Sequence, residues 1–293
     1  MFTFTFARMK RKYFKSKFPA KEILPTAPVP TEKEVKEGIR LNKLIANAGI
    51  AARRKADEFI RQGAVSVNDK VVTEMGHRVQ PGDVVKYNGK VVTSVKFVYI
   101  LLNKPKDFIT TLDDEQDRKT VMELIKGATT ERVYPVGRLD RKTTGLLLLT
   151  NDGELAHELT HPSRMVTKLY EVSLNFPVTE EDMLKIANGV ELEDGIAEVD
   201  EIDYADISDK RIVGVKLHSG KNRIVRRIFE SLKYDVVRLD RVMYGPLTKK
   251  DLPRGRWRLL EEKEIIMLKH LGKKAHPKKK IIPKESTQEK SDD

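Results

Sequence analysis

The apolar positions change their rhythm once along the chain, near residue 96. Before it, Leu41, Leu44, Ile45 and Ala48 recur at helical spacing and stop at Gly49. Arg53 to Ile60 predicts a second helix, closed by Gly63. AVSVNDKVV then reads as strand, Asn68-Asp69 turn, strand, and VQPGDVVKYNGKVV as two more short strands. After it the segments are longer. FVYILLN, KLYEVSLN and VVRLDRVMY predict strands, and GLLLLT a buried one. TVMELI is a short helix, and DGELAHEL a helix stopped before Pro162. TEEDMLKIANG is a helix with Thr179 as N-cap and Asp182 completing a loose capping box. VELEDGIAEVDEIDYADI and RIVGVKLH read as meandering strands, and NRIVRRIFESLKY as a helix opened by Asn222. Runs of strands with scattered helices predict an α+β fold on a mixed or antiparallel sheet with flanking helices.

Composition sharpens this division. Residues 1–37 and 272–293 are Lys-rich and poor in apolar patterning, and are expected to be disordered extensions. A compact unit at 38–95 and a larger domain at 97–271 remain. The formal net charge is +12. Residues 1–37 and 38–95 each carry +5 and 273–293 carry +3, while 96–272 carry −1. Basic accessory parts beside a near-neutral body point to a polyanion partner. The larger domain is itself polarised: 13 acids and one base from Glu171 to Asp209, then 12 bases and 4 acids from His218 to Arg258. There are no cysteines, which excludes disulfides, thiolate metal sites and a cysteine nucleophile. With no secretory signal and no membrane-length apolar run, a cytoplasmic protein with no membrane partner is expected.

Two motifs compete for the chemistry. His157-Glu158-Leu159-Thr160-His161 matches the H-E-x-x-H zinc pattern, but Pro162 ends the helix at once and no spaced third histidine follows. No metal site is expected there. The second motif is GRLDRKTTGLLLLTNDGEL, from Gly137 to Leu155, where Asp140 stands between Arg138 and Arg141 beside a buried strand. That carboxylate is either half of a surface salt bridge or an ionised group in a site for something negative.

The unit at 38–95, two helices and a small sheet with Arg53, Arg54 and Lys55 opening the second helix, resembles the S4 RNA-binding module. The resemblance makes Arg40, Lys43, Arg53, Arg54 and Lys55 candidate RNA backbone contacts. G-R-L-D-x-x-T-T-G-L-L-L-L-T-x-D-G, together with HPSRMVTKLYEV, LHSGKNRIVRRIFE and RLDRVMYGPL, resembles the ribosomal RNA pseudouridine synthases of the small-subunit synthase A type. LTHPSR and YGPL…LPRGRW lie closest to the large-subunit synthase B branch. The resemblance runs over about residues 39–271.

It implies an enzyme that isomerises a uridine of ribosomal RNA, expected to be large-subunit 23S, with no cofactor. Asp140 matches the essential aspartate, Tyr170 the active-site tyrosine and Arg226 the basic residue paired with the aspartate. Arg138 matches the residue that helps take the place of the extruded base, and Leu217 an apolar wall of the uracil pocket. Lys221, Arg223, Arg227, Arg238 and Arg241 are expected phosphate contacts. Lys104 matches a position near the site without an assigned role. The reaction breaks N1–C1′, turns the uracil and joins C5 to C1′, losing no atoms. A carboxylate can attack C1′ or remove the 2′ proton, and the residues do not choose between the two. Burial disfavours its charged form and a paired Arg226 favours it. A monomer is expected. The competing readings are a non-catalytic RNA-binding assembly protein and a synthase acting on small-subunit RNA.

Overall fold

The computed structural model describes residues 38–93 and 96–271. The two expected extensions lie outside them. The N-terminal unit opens with β1 (Ile39–Arg40), α1 (Leu41–Asn47) and α2 (Arg53–Arg61). β2 (Val65–Val67), β3 (Lys70–Val71), β4 (Arg78–Val79), β5 (Val85–Tyr87) and β6 (Lys90–Val91) follow. β3-β2-β5-β6 form one small sheet and β1-β4 another. Asn68 and Asp69 take positive φ of 49° and 63°, the geometry of a two-residue hairpin turn, and Asn88-Gly89 repeats it. Leu41, Ile45, Ala56 and Ile60 pack on Val65, Val67, Val79 and Val85.

The larger domain begins with β7 (Tyr99–Lys104), α3 (Val121–Leu124), β8 (Tyr134–Pro135), β9 (Thr144–Thr150) and α4 (Gly153–Thr160). β10 (Lys168–Leu174), α5 (Glu180–Asn188), β11 (Val190–Leu192), β12 (Gly195–Ala197), β13 (Glu201–Tyr204) and β14 (Ile212–Leu217) come next. α6 (Ile224–Ser231), β15 (Val236–Tyr244), β16 (Leu247–Thr248), β17 (Trp257–Leu259) and α7 (Glu262–Lys269) complete it. The nine-stranded sheet runs β13-β14-β10-β15-β9-β7-β17, with β8 on β9 and β16 on β15. The described fold is thus α+β on a mixed sheet, as expected. All its pairings are antiparallel except β9 with β15.

The apolar run of GLLLLT is explained by cover on both faces. Leu146 and Leu148 face α4 and α7, and Leu147 and Leu149 face α3. The other half of the sheet packs Val172, Val213, Val215 and Leu239 against Ile228 and Phe229 of α6. Caps set several boundaries. Thr179 accepts from Asp182 N at 3.1 Å, and Tyr234 donates to the same Asp182 carboxylate at 2.7 Å, so the loose box is closed from outside the helix. α6 starts later than expected: Arg223, in the left-handed region at φ 47°, is its N-cap in place of Asn222. The turn between α1 and α2 faces the larger domain: a Cβ at Gly49 would meet Glu131 at 4.0 Å.

Candidate active site

The loop 137–143 leaves β8 and enters β9 where β9 meets β15. Gly145 makes that junction feasible. Its φ is +110°, and a Cβ there would stand 2.3 Å from the carbonyl oxygen of Arg241. The loop is held from below by Lys104, the last residue of β7, whose side chain is fully buried. Lys104 Nζ donates to the carbonyls of Thr143 at 2.8 Å, Asp140 at 3.1 Å and Pro105 at 3.2 Å, with Arg141 at 3.4 Å. Burial pulls its pKa down to about 8, with Asp140 and Asp107 opposing. Thr110 ties the loop from the side, donating to Leu139 O at 2.7 Å. At its exit, Thr144 Oγ1 donates to the buried Asp240 at 2.9 Å. Burial pushes Asp240 up, but hydrogen bonds from Arg254 and Lys249 outweigh it and hold the carboxyl at about 2.

These supports place Asp140 in a cleft of about 670 Å³. Arg138, Arg141, Lys168, Tyr170, Lys221, Arg223 and Arg241 line it, with Leu159, Ile224, Val225 and Leu239 as apolar wall. Two carboxylates line it, Asp114 and Asp140. Asp114 is committed to Arg118, with contacts of 2.6 to 3.2 Å. The Asp140 carboxylate has no hydrogen bond or ion pair with another side chain among the described residues. The surface salt bridge is therefore not formed: neither Arg138 nor Arg141 pairs with it, and Arg141 lies 3.6 Å from Asp107 instead.

Several expected site residues sit elsewhere. Arg226 is buried on α6, donates to Val236 O at 2.9 Å, and leaves Nε without an acceptor. It makes no ion pair with Asp140, although the two interact through space: burial lowers the Arg226 pKa and Asp140 raises it. Leu217 is fully buried in the core and does not line the cleft; Ile224 and Val225 take that place. Arg227 is turned away, bidentate on Asp194 at 2.8 and 3.1 Å. Lys221 lines the cleft but also donates to Asp194 O at 2.8 Å, and Arg223 pairs with Glu230 at 3.0 Å. Arg238 is exposed, whereas Arg241 is 3 % exposed and is no surface phosphate contact. In the N-terminal unit, Arg40, Arg53, Arg54 and Lys55 are exposed and Lys43 partly so. Lys55 is paired with Glu58 at 2.6 Å.

Lys104, Lys168 and Arg241 form the inner support, and sequence reasoning gave none of them this place. The signal for Lys104 was a lysine ending the apolar run YILLN, where a strand buried along its whole length must satisfy the ammonium inside. The zinc pattern is taken up otherwise: α4 ends at Thr160, His161 bonds Ser163 through Nδ1 at 2.7 Å, and Glu158 pairs with Arg164. No group of metal-ligating side chains occurs among the described residues. No described helix is long and apolar enough to cross a membrane.

Comparison with known proteins agrees with this architecture. Residues 39–85 match the S4 domain model and residues 98–231 match the RNA pseudouridylate synthase model. An uncharacterized RNA pseudouridine synthase of Aquifex aeolicus is 40% identical over 246 residues, covering 83% of this chain and 98% of that one. The ribosomal large subunit pseudouridine synthase B of Bacillus subtilis is 40% identical over 236 residues, covering 80% of this chain and 96% of its own. A crystal structure of a pseudouridylate synthase superposes with a TM-score of 0.56 at 30% identity, over 79% of this chain and 100% of the other. With an S4 domain ahead of its catalytic sheet, the chain belongs to the RNA pseudouridine synthase family, and its enzymatic class is that of an RNA-uridine isomerase.

Proposed function

We propose that this enzyme converts a uridine of large-subunit ribosomal RNA to pseudouridine, with Asp140 acting at the ribose. The observation that carries the proposal is the unpaired carboxylate of Asp140, on a loop fixed by a buried lysine, in a cleft rimmed with cations. A half-buried carboxylate that faces a cleft without a protein partner is placed to meet a ligand there. Attack at C1′ and removal of the 2′ proton both use this carboxylate in its ionised form. Tyr170 faces the cleft from β10, where it can stack on the turned uracil and receive the C5 proton. Arg138 at the rim fills the space the base leaves. The large-subunit assignment rests on likeness to pseudouridine synthase B of Bacillus subtilis.

Residues 38–95 act as the RNA-binding domain and 97–271 as the catalytic domain. α2 suits phosphate: three cations occupy its first turn, with no acidic residue and no side-chain cap. Extruding the base costs a few kcal/mol, which phosphate contacts offset.

The test is tritium release from ribosomal RNA labelled at uridine C5. Wild type is expected to release tritium, and Asp140→Asn to lose at least about 1000-fold, the scale of a missing nucleophile or base. Full activity of Asp140→Asn would refute the assignment. Binding without release, on free RNA and on ribosomal precursor particles alike, would favour an assembly protein.

A further inference from the structure

Arg241 is buried more deeply than a phosphate contact requires. β15 sets it beside Tyr170 of β10 and Gly145 of β9. It is 3 % exposed, yet it lines the cleft. Nε donates to Leu146 O at 2.8 Å, and the guanidinium carbon lies 4.8 Å from the Tyr244 ring centre. These contacts fix the plane of the group. Nη2 is buried and has no acceptor in the protein. An orphaned charged donor is costly, and in a native site it calls for a partner.

The chemistry around it narrows what that partner is. Lys168, also lining the cleft, donates to His218 O at 2.7 Å and Ser219 O at 3.3 Å. The Tyr244 hydroxyl donates to Leu159 O at 3.1 Å. Asp114 is committed to Arg118, and Asp140 is needed at the ribose. With Lys168 and Tyr244 spent on carbonyls, the unpartnered buried polar atoms of the lining are Arg241 Nη2 and the Thr143 hydroxyl; a hydroxyl can donate or accept, whereas a guanidinium can only donate. Uracil carries carbonyl acceptors at C2 and C4, whereas cytosine carries an amino donor at C4. O2 lies next to the ribose, so O4 is the atom that reaches deepest when the base enters.

We propose that Nη2 of Arg241 donates to O4 of the extruded uracil and that this bond selects uridine over cytidine. The inference rests on the reading that the cleft receives a flipped uridine. It has a further consequence for the reaction. Turning the uracil so that C5 replaces N1 at C1′ exchanges O4 and O2 about the N3–C6 axis. A carbonyl stands in the same deep position before and after, so one fixed donor serves both orientations. Cytosine offers no such symmetry.

The test uses a ribosomal RNA stem-loop whose loop uridine wild type isomerises, as scored by tritium release. If no uridine is isomerised, the functional reading fails and Arg241 is not at issue. The loop position is then made as uridine, cytidine, 4-deoxyuridine or an abasic ribose, and dissociation constants are measured. Wild type is expected to prefer uridine over 4-deoxyuridine, and over cytidine, by about 10- to 100-fold. In Arg241→Met those preferences shrink to within about twofold, while abasic RNA binds as to wild type. Arg241→Lys, with one flexible donor, keeps part of the preference. Equal wild-type affinity for uridine and 4-deoxyuridine overturns the proposal without any variant. So does an Arg241→Met protein that loses abasic RNA as strongly as uridine RNA, which marks a structural role.

Discussion

At the scale of single residues, Lys104 decides the geometry of the loop that carries Asp140. Its ammonium has no carboxylate within ion-pair distance among the described residues; it is satisfied by loop carbonyls on both sides of the Asp140 side chain. Lys104→Met leaves these carbonyls short of a donor and frees the loop. The expected result is kcat lowered by about 100-fold, with RNA affinity within about twofold, because small misplacements of a reacting group cost that much. Single-turnover tritium release and filter binding measure the two separately; an unchanged kcat would remove Lys104 from the catalytic geometry. The same residue predicts a pH effect. An ordinary lysine titrates at 10.5, and burial brings Lys104 to about 8. Between those values the unfolded chain holds a proton that the folded chain has lost. The contribution of Lys104 to stability against urea therefore rises from pH 8 to 10.5, and the cost of burying its charge is present in full below 8; the buried Tyr99, Tyr134 and Tyr244, whose hydroxyls burial pushes up, oppose it at the upper end of that range. Lys168 is shifted to about 8 by the same cause, so Lys104→Met is expected to remove about half of the lysine contribution to the rise just above pH 8, read as a difference from wild type.

At the scale of elements, the site is made where β9 and β15 run parallel in an otherwise antiparallel sheet. Gly145 allows them to touch, with Arg241 N and O at 2.5 and 2.3 Å from its missing Cβ. Gly145→Ala is expected to cost about 3 kcal/mol or more, through clash and strain at positive φ. Gly220, in the cleft lining, has nothing within 4 Å and no positive φ, so Gly220→Ala should stay within about 0.5 kcal/mol. Urea unfolding of the pair distinguishes backbone crowding from a general effect of glycine replacement. The glycine itself was legible in the motif TTGLLLLT, as were the strands around it, because burial on both faces leaves an unbroken apolar run. That Asp140 and Tyr170 meet in one cleft was legible too, since the motifs that carry them are long and local. What the sequence hid is which cation meets which partner. Arg226, Arg227 and Arg241 all belong to basic strings. Yet one rests on a backbone carbonyl, one on Asp194 from a distant hairpin, and one under the cleft. These choices depend on contacts made by β11, β12 and β15, which no local pattern reports. Leu217 failed for the same reason: the end of β14 points its side chain into the core, and α6 supplies the wall.

At the scale of the whole molecule, the two domains hold cations that differ in how far the protein's own carboxylates neutralise them. The catalytic domain pairs many of its own: Arg227 with Asp194, Arg223 with Glu230, Arg211 with Asp209, Arg258 with Glu264. An RNA phosphate must compete with those carboxylates, so such cations add little net attraction. In the S4 domain Arg40 and Arg54 are exposed and form no ion pair with another described residue. Affinity should therefore come largely from the small domain, and turnover from the large one. Each cation that meets a phosphate adds about 0.7 to 0.9 to the slope of log affinity against log salt, through release of condensed counterions. Replacing both Arg40 and Arg54 by alanine should flatten that slope by about 1.4 to 1.8. Neither residue lines the cleft, so kcat at saturating RNA should remain at the wild-type value. Arg227→Ala, by contrast, removes a cation already spent on Asp194 and should leave the slope within about 0.3 of wild type. Filter binding over a salt series measures all three proteins. An unchanged slope in the double variant would mean that the S4 domain contacts no phosphate through these arginines. A slope that falls instead in Arg227→Ala would mean that RNA displaces Asp194 and that the catalytic domain holds the backbone itself.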